Sequence, residues 1–547
     1  MRKRSSLNVM IDLLVLAKEH LFLLLIAIIA GIVSFLSSTG IAVLAALLIV
    51  HLAGFLGLPF TTMVYIMVLL ALLRGLSRYL EQYLNHLVAF KVLSTLRDKV
   101  FAKLRNLAPA KVESKNKGAL ISLITSDIEL IEVFYAHTIS PIIIAITTAI
   151  IYLVVIAIFS PIIALITLIS YLFMGIVLPI VFSKWAKKTG RAIRREIGSL
   201  NNIFLDLLRG ITEIMQFAYH DKAIRVVQKT NLSLVNKQAA LIKQLALLLA
   251  TEDFVAVLTA GIVVFVGYIT GLSWAIILPL MFGVFFSFPA IANVASLGNG
   301  LSQSLASGER LLNLLEEKPI IEELSTGVDL NLENSLVNPL IKINGLSFSY
   351  DNQIVLNDFS LNVFKGEILG IRGESGCGKS TLMKLIMRFW PVNTGEIRIA
   401  GHSVEDINTQ SLWSNISYMT QSTEFFEGSI RDNLLIAKPD ATDAELNDAL
   451  QKASVLTFVE RLEHGLDTPL TELGDNFSAG ERQRFGLARC FLEDTKILLL
   501  DEPTSNLDVL NENIILDALK RNQADKTILM ISHRESSFRI CNRVIQM

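Results

Sequence analysis

Six long apolar stretches occupy the N-terminal part of the chain. Each is close to or above the roughly 20 residues that a helix needs to cross a bilayer. They run from Leu21 to Ile49, Phe55 to Leu73, Ile139 to Phe159, Ile162 to Phe182, Leu245 to Ile269 and Ser273 to Leu297. We therefore predict six membrane-spanning helices. The first run is too long for the core of a cleaved leader, so we expect it to be a retained anchor.

Basic residues collect in the long segments after the second and fourth spans, whereas the short loops after the other spans have no Lys or Arg. They are Arg97, Lys99, Lys103, Arg105, Lys111, Lys115 and Lys117, then Lys184, Lys187, Lys188, Arg191, Arg194 and Arg195. The positive-inside rule predicts that both segments, and both termini, are cytosolic. Helical periodicity continues through residues 119–131, so we expect the spans to extend into helical arms.

A polar stretch separates two regions of different character. Residues 316–339 contain Pro319, Gly327 and an acidic run, as is typical of a linker. We therefore divide the chain into a membrane domain (1–315), this linker, and a second domain (340–547) in which strand-like and helical runs alternate. The predicted fold class is multidomain: an all-α six-helix transmembrane domain followed by an α/β P-loop nucleotide-binding domain.

Composition supports a membrane protein and excludes one class of partner. Hydrophobic residues make up 52% of the 547 residues and charged residues 18%, which is more apolar than most soluble proteins. A net charge of -1 gives no sign of a basic surface, so we expect no nucleic-acid partner. The three cysteines, Cys377, Cys490 and Cys541, lack metal-ligand spacing and are expected to be reduced thiols.

One segment of the second domain carries a phosphate-binding pattern. The sequence G-E-S-G-C-G-K-S matches G-x-x-x-x-G-K-[ST] between a predicted strand and a predicted helix from Thr381 to Phe389. Its glycines let backbone N–H groups surround phosphate oxygens, the lysine bridges the outer phosphates and the final serine binds magnesium. ATP and Mg²⁺ are therefore the predicted cofactors. The residues are Gly373, Glu374, Ser375, Gly376, Cys377, Gly378, Lys379, Ser380 and Thr381.

Two carboxylates follow a buried strand farther along the chain. Four apolar residues from Ile497 to Leu500 precede Asp501 and Glu502. In P-loop enzymes such a strand end holds magnesium, so we assign Asp501 to the metal and Glu502 to the attacking water as general base. An isolated Asp-Glu pair is more often a solvated strand end, but the upstream P-loop favours catalysis.

The sequence S-A-G-E-R-Q-R, from Ser478 to Arg484, resembles the signature of the ABC family. The other landmarks of the family follow the expected order: Tyr350, Gln421, the D-loop Ser505-Asn506-Leu507-Asp508, and His533. The resemblance implies that Tyr350 stacks on adenine, that Gln421 binds Mg²⁺ and assists catalysis, and that His533 is the switch histidine. It also implies a dimer, in which Ser478, Gly480 and Asp508 help complete an ATP site with a second subunit.

The signature departs from the usual L-S-G-G-E at two positions. Phe477 replaces the leucine and Ala479 the first glycine, which adds a methyl group where backbone approaches phosphate. The composite site that contains this signature is therefore expected to be the weaker one. Relatives continue for some tens of residues beyond the position of Met547, so we also expect that the C-terminal end of the cassette is incomplete.

The order of domains resembles an exporter-type half-transporter over nearly the whole chain. Within the membrane domain, R-Y-L-E-Q-Y-L-N-H from Arg78 to His86 and I-S-P from Ile139 resemble the C-type subunit of the heterodimeric CydDC family, which supports cytochrome bd assembly. This resemblance implies a homologous partner subunit and a cargo of haem or of small thiols such as cysteine and glutathione. Gln82 and Leu87 replace the arginine and aspartate common in that family.

Four polar residues follow one another at every fourth position in span two: Arg74, Arg78, Gln82 and His86. This spacing places them along nearly one face of a helix. Ionisable groups at membrane depth usually face a cavity, so we predict a substrate wall, with arginines for carboxylates and His86 as an axial ligand if the cargo is haem. Alternatively, the helix has left the bilayer and these residues are solvated or paired with Glu81.

Two other functions remain open at this point. One is a homodimeric lipid or multidrug exporter. The other is a nucleotide-gated regulatory membrane protein that binds ATP without useful turnover, against which the intact Glu502 and His533 argue. Six spans exclude the soluble ABC proteins of DNA repair and translation. From the family resemblance we expect a bacterial plasma membrane.

Overall fold

The computed structural model describes residues 4–54, 59–113, 115, 117–295, 297–321, 327–332, 337–350, 353–470, 477–505, 507–523 and 526–547. Their contacts divide the chain into two compact units. The first comprises Met1–Arg105 and Lys115–Glu317, and the second comprises Asn106–Ser114 and Lys318–Met547. The predicted start of span two at Phe55 and parts of the predicted linker lie outside the described residues.

The first unit contains six helical segments that are long and apolar enough to cross a membrane, which confirms the six predicted spans. They are Lys18–Leu52, Phe60–Leu107, Gly118–Phe159, Pro161–Arg209, His220–Ile269 and Trp274–Val294. Four of these segments are 42 to 50 residues long, about twice what a bilayer requires. The excess length forms the helical arms that the periodicity predicts.

Thirteen helices make up these segments and their connections in the described part of the chain. They are α1 (Ser6–Leu16), α2 (Leu21–Leu52), α3 (Phe60–Leu107), α4 (Ala110–Glu113), α5 (Lys117–Ser122), α6 (Ile128–Phe134), α7 (Ser140–Phe159), α8 (Pro161–Leu172), α9 (Leu178–Arg209), α10 (Ile211–Gln216), α11 (His220–Ile269), α12 (Trp274–Ala295) and α13 (Gly298–Glu316). Three wider π turns interrupt two of these segments: Leu123–Asp127 and Tyr135–Ile139 lie in Gly118–Phe159, and Phe173–Val177 lies in Pro161–Arg209. Such turns are often found at functional sites.

The two ends of the membrane unit are fastened together. In α1, Val9 and Leu13 are buried against α13, where Gly308 leaves room for the Leu13 side chain. Arg4 adds polar contacts, since its backbone N–H donates to Glu309 Oε1 at 3.0 Å and its guanidinium contacts Glu316. The start of the chain is therefore fixed to the helix that leads out of the first unit.

An ion pair between a buried carboxylate and an exposed arginine ties a π turn to the same helix. Arg310 on α13 donates from Nε to Asp127 Oδ2 at 2.7 Å and from NH2 to Asp127 Oδ1 at 2.5 Å, and Ser307 donates to Oδ1 at 3.0 Å. A bidentate pair of this kind fixes geometry as well as contributing energy. The pair holds the arm segment around Asp127 against α13.

The second unit is an α/β domain. Its strands are β1 (Ile341–Tyr350), β2 (Gln353–Val363), β3 (Ile368–Arg372), β4 (Thr394–Ile399), β5 (His402–Ser403), β6 (Ile416–Met419), β7 (Gly428–Ser429), β8 (Pro469–Leu470), β9 (Ile497–Asp501), β10 (Thr527–Ile531) and β11 (Arg543–Gln546). Its helices are α14 (Lys379–Ile386), α15 (Thr409–Asn415), α16 (Ile430–Leu435), α17 (Asp443–Lys452), α18 (Leu456–Glu460), α19 (Ala479–Glu493) and α20 (Val509–Arg521).

A parallel sheet forms the centre of this domain. Its strand order is β11-β3-β10-β9-β6, and a separate antiparallel sheet has the order β2-β1-β4-β5. Alternate residues of the parallel strands face opposite sides, so Leu499 packs into one hydrophobic core while Leu498 and Leu500 pack into the other. Burial on both faces explains why these strands are continuous apolar runs in the sequence.

Two glycines of this domain allow a controlled test of packing. Gly395 in β4 has φ 89°, and a Cβ there would lie 2.6 Å from the carbonyl carbon of Gly345. Gly366 has φ 79° but no atom within 4 Å of such a Cβ. Gly395→Ala should therefore destabilise the domain by roughly 2 kcal/mol more than Gly366→Ala, because only the former adds a clash with backbone to the strain of positive φ.

Differential scanning calorimetry of the purified full-length variants measures this difference. At that cost the unfolding midpoint of the Gly395→Ala variant should lie roughly 5 °C below that of the Gly366→Ala variant. Equal midpoints would mean that the β1–β4 contact relaxes without cost.

Candidate functional site: a nucleotide site and a membrane cavity

The register of the parallel sheet brings four segments to one edge. Ile531 at the end of β10 pairs with Ile371 of β3 on one side and with Asp501 of β9 on the other. On the far side of β9, Met419 of β6 pairs with Leu500. The segments that follow these strands contain the P-loop, Glu502, His533 and Gln421, so one sheet edge presents all of them. Ligands in parallel α/β sheets bind at this edge.

The P-loop lies between β3 and α14. Gly376 and Gly378 have φ of 85° and 102°, which side chains disfavour, and Gly378 caps the helix that begins at Lys379. The Lys379 ammonium donates to the carbonyl oxygens of Gly373 and Glu374 at 2.9 and 2.7 Å. The loop therefore holds its lysine beside the free N–H groups of the α14 N-terminus, where phosphate oxygens bind best.

Asp501 supplies a buried carboxylate next to this loop. Burial raises the pKa of the Asp501 carboxyl, whereas hydrogen bonds from Ser380 and Tyr418 lower it. The Tyr418 hydroxyl donates to Asp501 Oδ2 at 3.3 Å. The carboxylate therefore has a fixed orientation toward Ser380, its predicted co-ligand for magnesium.

Glu502 is held at both carboxylate oxygens. Gln421 donates from Nε2 to Oε2 at 2.9 Å, and His533 Nε2 lies 3.0 Å from Oε1. The backbone of Glu502 has φ 52°, a left-handed conformation that costs energy for a residue other than glycine and often occurs in active sites. The two neighbouring carboxylates have different partners, since Asp501 contacts Tyr418 whereas Glu502 contacts Gln421 and His533.

These groups fit magnesium chemistry. Ser380 and Asp501 are hard oxygen ligands, and Gln421 donates to Glu502 through its nitrogen, which leaves its amide oxygen for a metal. Mg²⁺ commonly binds one or two such protein ligands together with phosphates, whose negative charge it neutralises. This arrangement is compatible with the predicted role of Glu502 as general base, since its carboxylate is left for a water and has His533 Nε2 3.0 Å from one oxygen.

Aromatic side chains surround the predicted adenine position. The Tyr350 ring packs edge-on against Trp390 at 5.0 Å and Phe348 at 4.9 Å, and its hydroxyl lies 3.4 Å from Thr381 Oγ1. Both Tyr350 and Thr381 therefore belong to the same wall as the P-loop helix.

The signature segment forms the N-terminus of α19. Ser478 caps the helix in a reciprocal arrangement with Glu481, whose carboxylate accepts from the Ser478 backbone at 2.8 Å. Ala479 is the first helical residue, and Gly480 is buried, with a hypothetical Cβ 3.3 Å from Asn511 Cγ. Gly480, the glycine that this signature retains, packs against α20. Ala479, which carries the extra methyl group, is exposed.

The D-loop lies between β9 and α20, and the signature helix α19 contacts it through hydrogen bonds. Gln483 of α19 donates to the Ser505 carbonyl at 3.2 Å, and Arg484 donates to Asn511 at 2.6 Å. Asp508 caps α20 by accepting from the Leu510 N–H at 3.2 Å. Asn506 lies outside the described residues.

Two further residues of this site escaped the sequence analysis. Tyr418 lies three residues before Gln421 in a strand that reads as core, so only its contact with Asp501 reveals it. Glu512 is buried under the segment after His533, accepting from Arg534 at 2.8 Å and from Ser537 at 3.0 Å. The only sign in the sequence that Glu512 binds this segment is its position, as an acid on the buried side of an otherwise amphipathic helix.

The polar face of span two borders two adjoining cavities in the membrane unit. Arg74 and Arg78 line a cavity of about 640 Å³, together with residues of α2 and α12. Arg78 and Gln82 line a second cavity of about 290 Å³, which shares Phe35 and Asn293 with the first. The single helix α3 therefore brings three of the four predicted cargo residues to cavity walls.

His86 is not among the described residues that line either cavity. Its Nδ1 lies 3.2 Å from Glu132 Oε1, and its ring packs against His137 with centroids 5.0 Å apart. His137 lines the smaller cavity, as does Glu81. Neither was singled out from the sequence as a cavity residue, because His137 comes from another span and Glu81 from a neighbouring position on α3.

Replacing Glu502 by Gln should reduce ATP turnover at least a hundredfold and leave ATP binding intact, because the amide keeps the shape but cannot take a proton. Turnover is measured by phosphate release and binding by retention of labelled ATP. Glu535→Gln, an exposed carboxylate on the segment after His533, is the matched control and should keep full turnover. Undiminished turnover in the Glu502→Gln variant would contradict the assignment.

Replacing Tyr418 by Phe should raise the Mg²⁺ concentration for half-maximal ATP turnover by about tenfold, because Asp501 loses a group that orients it. The phenyl ring preserves packing, so turnover at saturating Mg²⁺ should change much less. A titration of Mg²⁺ at fixed ATP separates the two effects. The same half-maximal concentration in both proteins would show that the hydroxyl does not orient the carboxylate.

Comparison with known proteins gives two matching families along the chain. The family described as "ABC transporter transmembrane region" matches residues 20–295, and "ABC transporter" matches residues 356–505. A "Probable ABC transporter ATP-binding/permease protein" of Haemophilus influenzae is 41% identical over 99% of this chain and 98% of its own length. The "Glutathione/L-cysteine transport system ATP-binding/permease protein CydC" of Escherichia coli is 28% identical over 96% of this chain and 93% of its own.

Two other matches differ in what their names say. An "ATP-dependent lipid A-core flippase" of Syntrophus aciditrophicus is 27% identical over 87% of this chain and 79% of its own. The solved structure of "a bacterial Atm1-family ABC exporter with ATP bound" has the same fold, with a TM-score of 0.76 at 20% identity over 97% of this chain and 93% of its own. The chain therefore belongs to the ABC transporter family, as a multi-pass half-transporter of the exporter fold that acts as a dimer and couples ATP hydrolysis to transport.

Proposed function

We propose that this half-transporter exports a small carboxylate-bearing thiol of the glutathione or cysteine class. The observation that carries the proposal is the pair Arg74 and Arg78 on the wall of the cavity of about 640 Å³. Two cations in a membrane domain are costly unless they serve a ligand or a counter-ion. A cargo carboxylate would supply the missing negative charge.

The rest of the cavity suits a small amphipathic molecule. Ser34 and Ser38 of α2 and Asn293 of α12 offer hydrogen-bonding groups, while Phe282 and Phe286 offer apolar surface. Binding sites for small molecules commonly combine an apolar lining with a few polar groups that fix orientation. The name of the Escherichia coli relative, which includes glutathione and L-cysteine, supports the same class.

Haem has less support as cargo. His86, its predicted axial ligand, has Nδ1 directed at Glu132 and does not line the described cavity walls. His137 is the histidine that reaches a cavity. We therefore propose that the protein supports cytochrome bd assembly by transporting thiols. Haem, the other cargo that the resemblance implies, is the second candidate.

We further propose a heterodimer in a bacterial plasma membrane, with both termini and the ATP-binding domain in the cytosol. Basic residues in the long arms support this orientation. Ala479 in the signature supports two unequal ATP sites, because the site that contains it would hold phosphate less closely than a site with glycine. A partner with a complete signature would then form the stronger site around this chain's own P-loop.

The proposed cycle has two global states. ATP binding closes the two ATP-binding domains, the arms carry this movement to the spans, and hydrolysis resets them. Cargo is transported only if its affinity differs between these states. Arg74 and Arg78 lie on α3, which continues into an arm without interruption, so a movement of that arm would change the cavity directly.

One observation favours a different cargo. A third cavity of about 380 Å³ lies between α2, α7 and α12, and residues such as Leu36, Val43, Ile151 and Leu280 give it an apolar wall. It would suit a lipid tail or a hydrophobic drug in a homodimeric exporter. The relative whose name includes lipid A-core is about as similar to this chain as the CydC of Escherichia coli, so sequence identity does not choose between the two cargoes.

Stimulated ATPase activity tests the cargo. With the copurified partner in lipid nanodiscs, glutathione or cysteine should raise ATP turnover, and Arg78→Gln or Arg74→Gln should increase the concentration for half-maximal stimulation at least tenfold. Lys91→Gln, which removes an exposed cation of the same helix outside the described cavity walls, is the control and should behave like the unmodified protein.

Parallel titrations with haem and with a hydrophobic drug distinguish the alternatives. Stimulation by haem that is lost on His86→Ala would replace the thiol assignment. Stimulation by the drug alone, in a homodimer, would favour the lipid or multidrug exporter. Basal turnover that no compound changes would favour the nucleotide-gated regulatory protein.

A further inference from the structure

A buried carboxylate lies beside the arginines of the proposed cargo site. Glu81 on α3 is only 2% exposed. It packs against α2 and α7, where a Cβ on Gly31 would lie 3.1 Å from Glu81 Cδ and 3.0 Å from Ile144 Cγ1. A larger residue at position 31 would displace this carboxylate, so the glycine creates the space that Glu81 fills.

Glu81 is paired with one edge of Arg78. Arg78 NH1 donates to Glu81 Oε2 at 2.8 Å, while the guanidinium carbon lies 6.0 Å from the centre of the Phe35 ring. The Arg78 side chain remains 47% exposed and reaches both cavities. A guanidinium has five N–H donors in a planar fork, so the edge away from Glu81 can still bind a carboxylate of the cargo.

The carboxylate also changes the charge of the site. Among the described residues that line the two cavities, the ionisable side chains are Arg74, Arg78, Glu81 and His137. With a neutral histidine, two positive charges and one negative charge leave a single net positive charge. A cargo with one net negative charge therefore neutralises the site, whereas a second negative charge would remain uncompensated at low dielectric constant.

Cargo cannot simply take the place of Glu81. Its carboxylate is enclosed by three spans, and removing its partner would leave a charge buried without compensation, which is strongly unfavourable. The bound state is then a row of three groups, Glu81, Arg78 and the cargo carboxylate, with Arg74 as the second cation of the larger cavity. Phe35 limits the orientations that the guanidinium can adopt within this row.

We infer that Glu81 determines the charge specificity of the cargo site: it positions Arg78 for the cargo and restricts the preferred cargo to one net negative charge per site. Of the two thiols proposed above, the site then prefers glutathione to cysteine, which has no net charge at neutral pH. This inference rests on the proposed function, because it assumes that Arg74 and Arg78 bind the cargo. It adds a positioning residue outside the four-residue face of span two and gives the site a chemical selection rule.

A series of glutathione derivatives with one peptide skeleton tests the rule. At neutral pH glutathione carries one net negative charge, its sulfonate carries two and its monoethyl ester none. In the unmodified complex in nanodiscs, glutathione should stimulate ATP turnover at a lower concentration than the sulfonate or the ester. A preference of the unmodified protein for the sulfonate would overturn the inference without any variant.

Glu81→Gln should reverse this preference. The amide keeps the shape and a hydrogen-bond acceptor for Arg78 but removes the negative charge, so the site carries two positive charges. The ratio of half-maximal concentrations, sulfonate to glutathione, should fall on the order of tenfold or more. Glu129→Gln, which removes an exposed carboxylate of α6, should leave the ratio unchanged.

Glu81→Asp keeps the charge and shortens the side chain. It should preserve the preference for glutathione while weakening stimulation by every derivative, because Arg78 loses its position but the site keeps its net charge. This variant also serves if the amide variant is not folded, as judged by size-exclusion chromatography. A ratio that shifts equally in the Asp and Gln variants would assign Glu81 a purely structural role.

The outcomes separate this inference from the proposed function. If glutathione stimulates turnover, and Arg78→Gln raises its half-maximal concentration while Glu81→Gln leaves the charge preference unchanged, the inference fails and the thiol exporter remains. If no glutathione derivative stimulates the unmodified complex but a hydrophobic drug does, the proposed function itself fails.

Discussion

The register of the parallel sheet is the constraint on which the ATP site depends. Parallel strands end at a common edge, so pairing of β10 with both β3 and β9 places the P-loop, the two carboxylates and His533 side by side although they are far apart in the chain. A shift of one residue in β9 would turn Asp501 to the opposite face. The shift would move this carboxylate toward the hydrophobic core that contains Leu498 and Leu500, which is unfavourable, so core packing helps to fix the geometry of the site.

The membrane unit obeys a different constraint, because hydrocarbon offers no partner for a charge. Its spans are therefore mostly apolar, and a charged group at that depth is favoured when it is paired or borders a cavity. Arg78 satisfies both conditions through Glu81 and the two cavities. The charged residues that line the two cargo cavities therefore lie on α3 and on a segment that precedes α7, which contributes His137.

Much of this organisation is readable in the sequence because it follows from patterns of fixed period or spacing. Each of these patterns depends on residues that are close together in the chain. Span length predicted the six membrane helices, and the alternation of strands and helices predicted the α/β domain. The P-loop motif correctly predicted a helix directly after it. The strands at Ile497 and Thr527 were located almost to the residue, because burial on both faces gives uniform apolar runs. The helix after the P-loop ends at Ile386 rather than Phe389, since Arg388 adopts φ 54°.

What the sequence missed depends on contacts between distant segments. Tyr418 and Glu512 look like core and surface residues until their partners Asp501 and Arg534 are known. The spacing of four residues predicted the polar face of span two. It did not predict which of the four side chains line a cavity. It gave equal weight to His86, whose neighbours on another span direct it elsewhere, and it passed over Glu81, which lies one position away from Gln82.

The fastening of Arg4 and α1 to α13 has a practical consequence for spectroscopy. Because Arg4 contacts Glu309 and Glu316, a fluorophore attached at Ser5 moves with α13 rather than with a free chain end. The chain passes from α13 directly into the second unit. A donor dye at Ser5 and an acceptor dye on the second unit would therefore report rearrangements between the two units. Independent motion of the donor's attachment point would add little to the measured distance distribution.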